Sequence, residues 1–205
     1  GELYPSGNGY NAQNAVIPGG ARTKPFKEDG FDYAYAFGNI VYKMNKSITL
    51  VAGNDNHFIG AGYRSLLLSD NSLNSPYIQG NFRISSKLSF HYMRSRLLNL
   101  LRRPFTSSAE AYYEPKALSV NYLTYKATDK LTVSLFDGGI WSKGDSITST
   151  RVNNMFYNPI PLLNGIVVSD KSKFYSMVGL NASYAVSGRL KFYGQLVTND
   201  FETGA

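Results

Sequence analysis

Residue types capable of chemistry concentrate in one stretch, Gly53-Asn-Asp-Asn-His-Phe-Ile-Gly-Ala-Gly-Tyr-Arg-Ser-Leu-Leu-Leu-Ser-Asp-Asn71. Asp55, His57 and Ser65 are the residues of a hydrolytic triad, in which a carboxylate orients the imidazole that activates a hydroxyl. Their spacing carries no such signature, because no G-x-S-x-G elbow presents a strained serine. His57 and His91 are the only histidines, so a histidine-dependent enzyme has few designs open to it. Gly60-Ala61-Gly62 lacks the third glycine and the βαβ setting of a dinucleotide fingerprint. Asp55 and Asp70 offer carboxylates to a calcium ion but lack EF-hand spacing. The chain therefore reads as non-enzymatic, with no catalytic residue, no metal and no cofactor.

What these residues suit better is a braced binding loop. The glycines let the backbone fold back on itself. Arg64 can donate bidentately to Asp70 or Asp55, and Leu66-Leu67-Leu68 can bury against a wall. Asp55, Asn56, His57, Tyr63, Arg64, Asp70 and Asn71 are then the glycan-binding or loop-bracing candidates. A second element, Asn153-Asn-Met-Phe-Tyr-Asn-Pro-Ile-Pro161, adds Tyr157. Its prolines fix an extended course, and its aromatics can stack on sugar rings or cover the mouth of a barrel.

The elements that position these loops alternate with a period of two. Residues 1–30 are rich in Gly, Pro and Asn and read as irregular. From Gly30, Phe31, Tyr33, Tyr35 and Phe37 share one face; the phase then slips near Asn39, as at a bulge. Ile40 and Tyr42 lead to a turn at Met44-Asn45-Lys46, and Ile48 to Gly53 returns. A second pair, Tyr77 to Ile84 and Leu88 to Arg96, turns at Ser85-Ser86. Leu97 to Arg103 reads as a short helical turn stopped by Pro104. A third pair, Leu118 to Lys126 and Leu131 to Trp141, turns at Thr128-Asp129; its Leu118, Val120 and Tyr122 oppose Ser119 and Asn121. In the fourth, Phe174, Val178, Leu180, Ala182, Tyr184 and Val186 oppose Asn181 and Ser183. It turns at Ser187-Gly188, and Leu190, Phe192 and Leu196 follow.

About eight strands result, many near the nine to eleven residues that cross a bilayer. Short turns join each pair, whereas 54–76, 97–117 and 142–172 are long. This asymmetry is that of an antiparallel up-and-down transmembrane β-barrel over residues 31–201, with short periplasmic turns and long extracellular loops. A soluble sandwich or lipocalin-like barrel produces the same alternation with its apolar face turned inward.

Hydrophobic residues make up 43% of the chain, yet no apolar run reaches the roughly 18 residues of a spanning helix. Sixteen Tyr and twelve Phe against one Trp suit interfacial aromatic girdles. The absence of Cys excludes disulfides and thiol chemistry. A net charge of +7 invites an anionic partner. The charges read as scattered through turns and loops, with only Arg102-Arg103 and Arg94-x-Arg96 close together. Without a nucleic-acid module, lipopolysaccharide or capsule is a better counterpart than nucleic acid.

The run Phe58-Ile-Gly-Ala-Gly-Tyr-Arg-Ser-Leu-Leu-Leu-Ser-Asp-Asn71 resembles the signature of the Wzi-like capsule-assembly family, in particular its Bacteroidota gliding-motility branch. Val16-Ile-Pro-Gly-Gly-Ala-Arg-Thr-Lys-Pro-Phe-Lys27, Tyr157-Asn-Pro-Ile160, Gly179-Leu-Asn-Ala-Ser-Tyr184, Leu190-Lys-Phe-Tyr-Gly-Gln195 and Asn199-Asp-Phe201 are similar in order. The resemblance implies an outer-membrane barrel without catalytic residues that binds or organises surface polysaccharide. An accessory role in a gliding-motility, adhesion or protein-export complex is its alternative. Lipid, lipopolysaccharide, capsular polysaccharide and other outer-membrane proteins are the expected partners. The family has more strands than this chain supplies, so part of a longer barrel is expected.

Overall fold

The computed structural model describes residues 23–27, 30–33, 36–72, 74–103, 112–142, 154–167 and 174–199. Strands β1 (Thr23–Phe26) and β2 (Gly30–Tyr33) form a separate two-stranded hairpin. The described end of the stretch expected to be irregular is thus a strand. The phase slip near Asn39 marks the passage from this hairpin to the main sheet rather than a bulge.

The main sheet is a meander of eight antiparallel strands, each paired with its neighbours in sequence. These are β3 (Gly38–Lys43), β4 (Ile48–Asp55), β5 (Ser75–Arg83), β6 (Leu88–Arg103), β7 (Tyr112–Lys126), β8 (Leu131–Ser142), β9 (Phe174–Ala185) and β10 (Lys191–Asn199). The fold is all-β and up-and-down, as the alternation requires. It is open, because β3 and β10 are edges of the sheet and do not pair with each other. The expected helical turn at Leu97–Arg103 is instead the far half of β6. Arg102 and Arg103 pair with Tyr113 and Tyr112 across an irregularity after Leu98. Ladder hydrogen bonds to β7 override the local preference of a leucine-rich run.

One turn design recurs at the four short hairpins of the main sheet. Asn45 Oδ1 accepts N–H bonds from Ser47 and Ile48 at 2.7 and 2.9 Å. Ser85 Oγ does the same for Lys87 and Leu88, and Thr128 Oγ1 for Lys130 and Leu131. Ser187 Oγ accepts from Arg189. A short polar side chain mimics a backbone turn in each case. The sequence repeat behind it is Asn-Lys-Ser-Ile, Ser-Ser-Lys-Leu, Thr-Asp-Lys-Leu and Ser-Gly-Arg-Leu, beginning at 45, 85, 128 and 187.

The registers divide the sheet into two faces of opposite character. One carries Thr49 and Asp55, Ser75 and Gln79, Asn81, His91 and Ser95, Thr124, Thr132 and Ser134, Asn181 and Ser183, and Gln195. The other carries Ile40, Leu50, Ile78, Phe82, Phe90, Leu123, Val133, Leu135, Leu180, Tyr184, Phe192 and Leu196. The first is the polar face, the second the apolar face. Much of the apolar face is bare: Ile40 is 77% exposed and Leu196 69%. Leu118, Val120 and Tyr122 break this division. They stand on the polar face, where Val120 packs with Met93 and Phe136.

Candidate functional site

The connection after β4 does not leave the sheet. Residues 56–72 turn back and lie across the polar face from β5 to β10. Ile59 and Leu68 close the loop by an isolated bridge. Ala61 N–H donates to Asn181 Oδ1 at 3.1 Å, and Leu66 N–H to Gln195 Oε1 at 2.9 Å. Ser65 Oγ donates to the Ile59 carbonyl and accepts from Leu67 N–H and Gln195 Nε2. Leu67, 2% exposed, enters the cluster of Ile59, Tyr77, Met93, Leu118, Val120 and Phe136. Burying a leucine side chain this way contributes about 1.5–3 kcal/mol. Gly60 and Gly62 serve this docking and not a phosphate. Both have positive φ, and a Cβ at Gly62 would come within 2.3 Å of the Tyr193 ring.

The sequence candidates in this loop separate into anchored and exposed groups. Asn56 N–H donates to Asp55 Oδ1, and its Nδ2 to the Asp70 carbonyl, so it ties the two limbs of the loop together. His57 stands edge-on against Tyr77, with ring centroids 4.2 Å apart. Burial pushes the imidazole below its ordinary pKa, and the Asp55 carboxylate opposes that shift more weakly. Ser65 is committed to Ile59, Leu67 and Gln195, so Asp55, His57 and Ser65 form no relay. The expected brace from Arg64 to Asp70 or Asp55 is not made; the Arg64 guanidinium lies 5.8 Å over the Tyr63 ring instead. Leu66 is exposed, so one leucine of the three, Leu67, is buried. Tyr63, Arg64, Asp70 and Asn71 face solvent, with Tyr63 87% exposed.

Tyr157 stands apart from this group, on the opposite face of the sheet. A 3-10 turn (Asn154–Tyr157) and helix α1 (Leu163–Val167) form a strap over the apolar face of β6 to β9. Beneath it, Arg94, Ser119, Asn121, Asp137 and Ser176 interrupt the apolar pattern, and all five are buried. Arg94 uses every N–H it has. Nε donates to the Phe156 carbonyl, Nη1 to the Met93 and Val120 carbonyls, and Nη2 to Asn121 Oδ1 and the Asn158 carbonyl. Its guanidinium also covers the Tyr92 ring at 3.8 Å. Asn121 passes the network to Asp137 at 3.1 Å, and Asp137 accepts the backbone N–H of Leu162, a residue held at φ 69. Beyond the polar cluster, Trp141 packs on Phe174 and Phe156 and donates Nε1–H to Ser119 Oγ at 2.9 Å.

The strap repeats the polarity of the sheet. Its Asn164 is buried and accepts from Asn158 Nδ2, while Ile160, Leu162, Ile166 and Val167 point outward. The strap therefore replaces a buried polar patch with an apolar exterior. Nothing local in the sequence identified residues 154–167 as the cover of this patch. A comparison of this chain with protein-family models, with curated proteins and with solved structures finds no match.

Proposed function

We infer that this chain is a non-enzymatic wall of an outer-membrane β-barrel that binds or organises surface polysaccharide. The observation that carries this reading is the inverted polarity of the main sheet. On the polar face Ser75, Ser95, Ser134, Asn181 and Ser183 are buried, whereas on the apolar face, outside the strap, Ile40, Ile78, Leu180, Phe192 and Leu196 are exposed. A water-soluble sheet gains its stability from the opposite arrangement. A lipid-facing wall with a wet interior uses this one. No helix among the described residues is long and apolar enough to cross a membrane, so strands would make the crossing.

Seating of the 56–72 loop on the polar face favours a binding or organising role over an open pore. Its exposed Tyr63, Arg64, Asp70 and Asn71 present an aromatic face and both charge signs, groups that suit sugar rings and their acidic substituents. The test has two arms. Fractionation and unheated gel mobility should report a folded, detergent-requiring outer-membrane species. Co-sedimentation with purified surface polysaccharide should then drop severalfold in the Tyr63→Ala/Arg64→Ala variant. A protein that stays folded and soluble without detergent overturns the membrane reading; unchanged co-sedimentation overturns the glycan reading.

The unpaired edges of β3 and β10 favour a second reading, an accessory subunit of a gliding-motility, adhesion or export assembly. Open edges accept strands from another chain. Purification from native outer membranes with a stoichiometric protein partner would favour this role.

A further inference from the structure

Charge that looks scattered along the chain is gathered by the fold at one end of the sheet. Because the strands form a meander, all four short turns lie at the same end. The turns themselves carry Lys46, Lys87, Lys130 and Arg189, all exposed. The last polar-face position before or after each turn is also basic: Lys43, Arg83, Lys126 and Lys191. Eight cations thus stand on four adjacent hairpins, about 10 Å apart at two strand spacings each. Among the described residues of these turns the one carboxylate is Asp129, which pairs with Lys126 at 2.8 Å. Asp55 and Asp70 lie at the other end of the strands, and Asp137 lies midway along β8 under the strap.

The apolar face runs down to these turns without a gap. Ile48, Leu88 and Leu131 stand on that side at three of the tips, and backbone hydrogen bonds set Met44 against Ile48, Ile84 against Leu88 and Val186 against Leu190. Each hairpin therefore shows apolar groups outward and cations at its tip and on its inner side. A nucleic acid or a free polyanion would use the cations and leave the adjoining apolar row in water. An anionic phospholipid offers acyl chains and a phosphate in that same order.

We propose that the turn end of the sheet is a basic collar that holds the phosphates of anionic phospholipids, while the apolar row above it contacts their acyl chains. The proposal rests on the membrane reading above and adds to it the lipid class and the residues that select it. Lys46, Lys87, Lys130 and Arg189 reach the headgroup plane from the tips. Lys43, Arg83, Lys126 and Lys191 sustain the positive potential behind them.

The test measures lipid selectivity at the protein surface. The full chain is reconstituted in phosphatidylcholine bilayers with spin-labelled phosphatidylglycerol or phosphatidylcholine as probe, and the motionally restricted fraction is compared. The wild type should prefer phosphatidylglycerol by about threefold or more at low salt, because surface cations attract anionic headgroups. The preference should fall toward one in 1 M NaCl, where screening is strong. It should also fall in the Lys46→Gln/Lys87→Gln/Lys130→Gln/Arg189→Gln variant, and a Lys→Arg version of the three lysines should retain it. These tips are exposed, so gel mobility and Trp141 emission should stay unchanged. Equal restriction of both lipids by the wild type, or a preference that survives in the glutamine variant, overturns the collar and leaves the membrane reading standing. If inorganic phosphate abolishes the preference where chloride at equal ionic strength does not, the collar is a soluble-phosphate site and the lipid assignment fails. If neither probe is restricted, the sheet does not face lipid, and both readings fall.

Discussion

Arg94 is where the strap and the sheet are joined most strongly, and replacing it with lysine isolates what its geometry contributes. The guanidinium has five N–H donors, and the Phe156, Met93, Val120 and Asn158 carbonyls and Asn121 Oδ1 accept them all. Lysine keeps the charge but offers three donors from one point. At least two buried acceptors are then left without a partner, at about 1–3 kcal/mol each. Arg94→Lys should therefore cost about 2–4 kcal/mol. Arg94→Met removes the charge as well and should cost about 3–5 kcal/mol. Two of the five acceptors, the Phe156 and Asn158 carbonyls, belong to the strap, so the strap should loosen before the sheet unfolds. Trp141, the single tryptophan, reports this directly, because it packs on Phe156 and Phe174. In detergent, Arg94→Lys should red-shift its emission and open it to iodide quenching at urea concentrations that leave the sheet intact. An unchanged emission, with an unfolding free energy within about 0.5 kcal/mol of wild type, would refute the reasoning.

Leu196→Arg places a charge on the bare apolar face and should cost about 2–4 kcal/mol in bilayers if it sits near the midplane, as measured by urea titration from vesicles. The same substitution at exposed Tyr63 should be near neutral. Leu67→Ala removes a buried side chain from the loop cluster and should cost about 2–5 kcal/mol; hydrogen exchange should rise in residues 59–68 before it rises in the strands. His57 is held neutral by burial, so its contribution is fully present above pH 6.5, its ordinary value, and is lost as pH falls from there through the lower folded-state value. Unfolding free energy should consequently drop between pH 7.5 and 5 by more in the wild type than in His57→Phe, which keeps a ring on Tyr77. Equal drops would mean that His57 carries no proton-linked stability.

The strands were legible because the two faces of the sheet differ in polarity, and a period of two records that along residues 75–96 and 174–199. Leu118, Val120 and Tyr122 share a face opposite Ser119 and Asn121, as read, but that face is the polar one; a loop from elsewhere in the chain covers it there, making bulky apolar groups stable on it. The same applies in reverse to Ser119 and Asn121, which the strap shelters. Such covers depend on contacts more than 25 residues apart, as between Arg94 and Asn158 or between Ala61 and Asn181. Short-range periodicity does not register them. The Arg64 brace failed for a simpler reason: an exposed guanidinium gains little from a carboxylate in water. The basic collar had a sequence signal after all, in the fourfold repeat that begins at 45, 85, 128 and 187. Counting charges hides it; aligning the turns reveals it.

The order in which contacts become available has a consequence for biogenesis. Neighbouring hairpins zip locally, so the ribbon can grow one pair at a time with little loop-closure cost. The bonds from Ala61 and Leu66 are different, because they wait for partners 120 and 129 residues further along. Until Asn181 and Gln195 emerge, the glycine-hinged tongue has nowhere to rest, and its leucine stays uncovered. Its latching therefore requires β9 and β10, and a chain that lacks them would leave Leu67 open to any chaperone that grips stray apolar side chains.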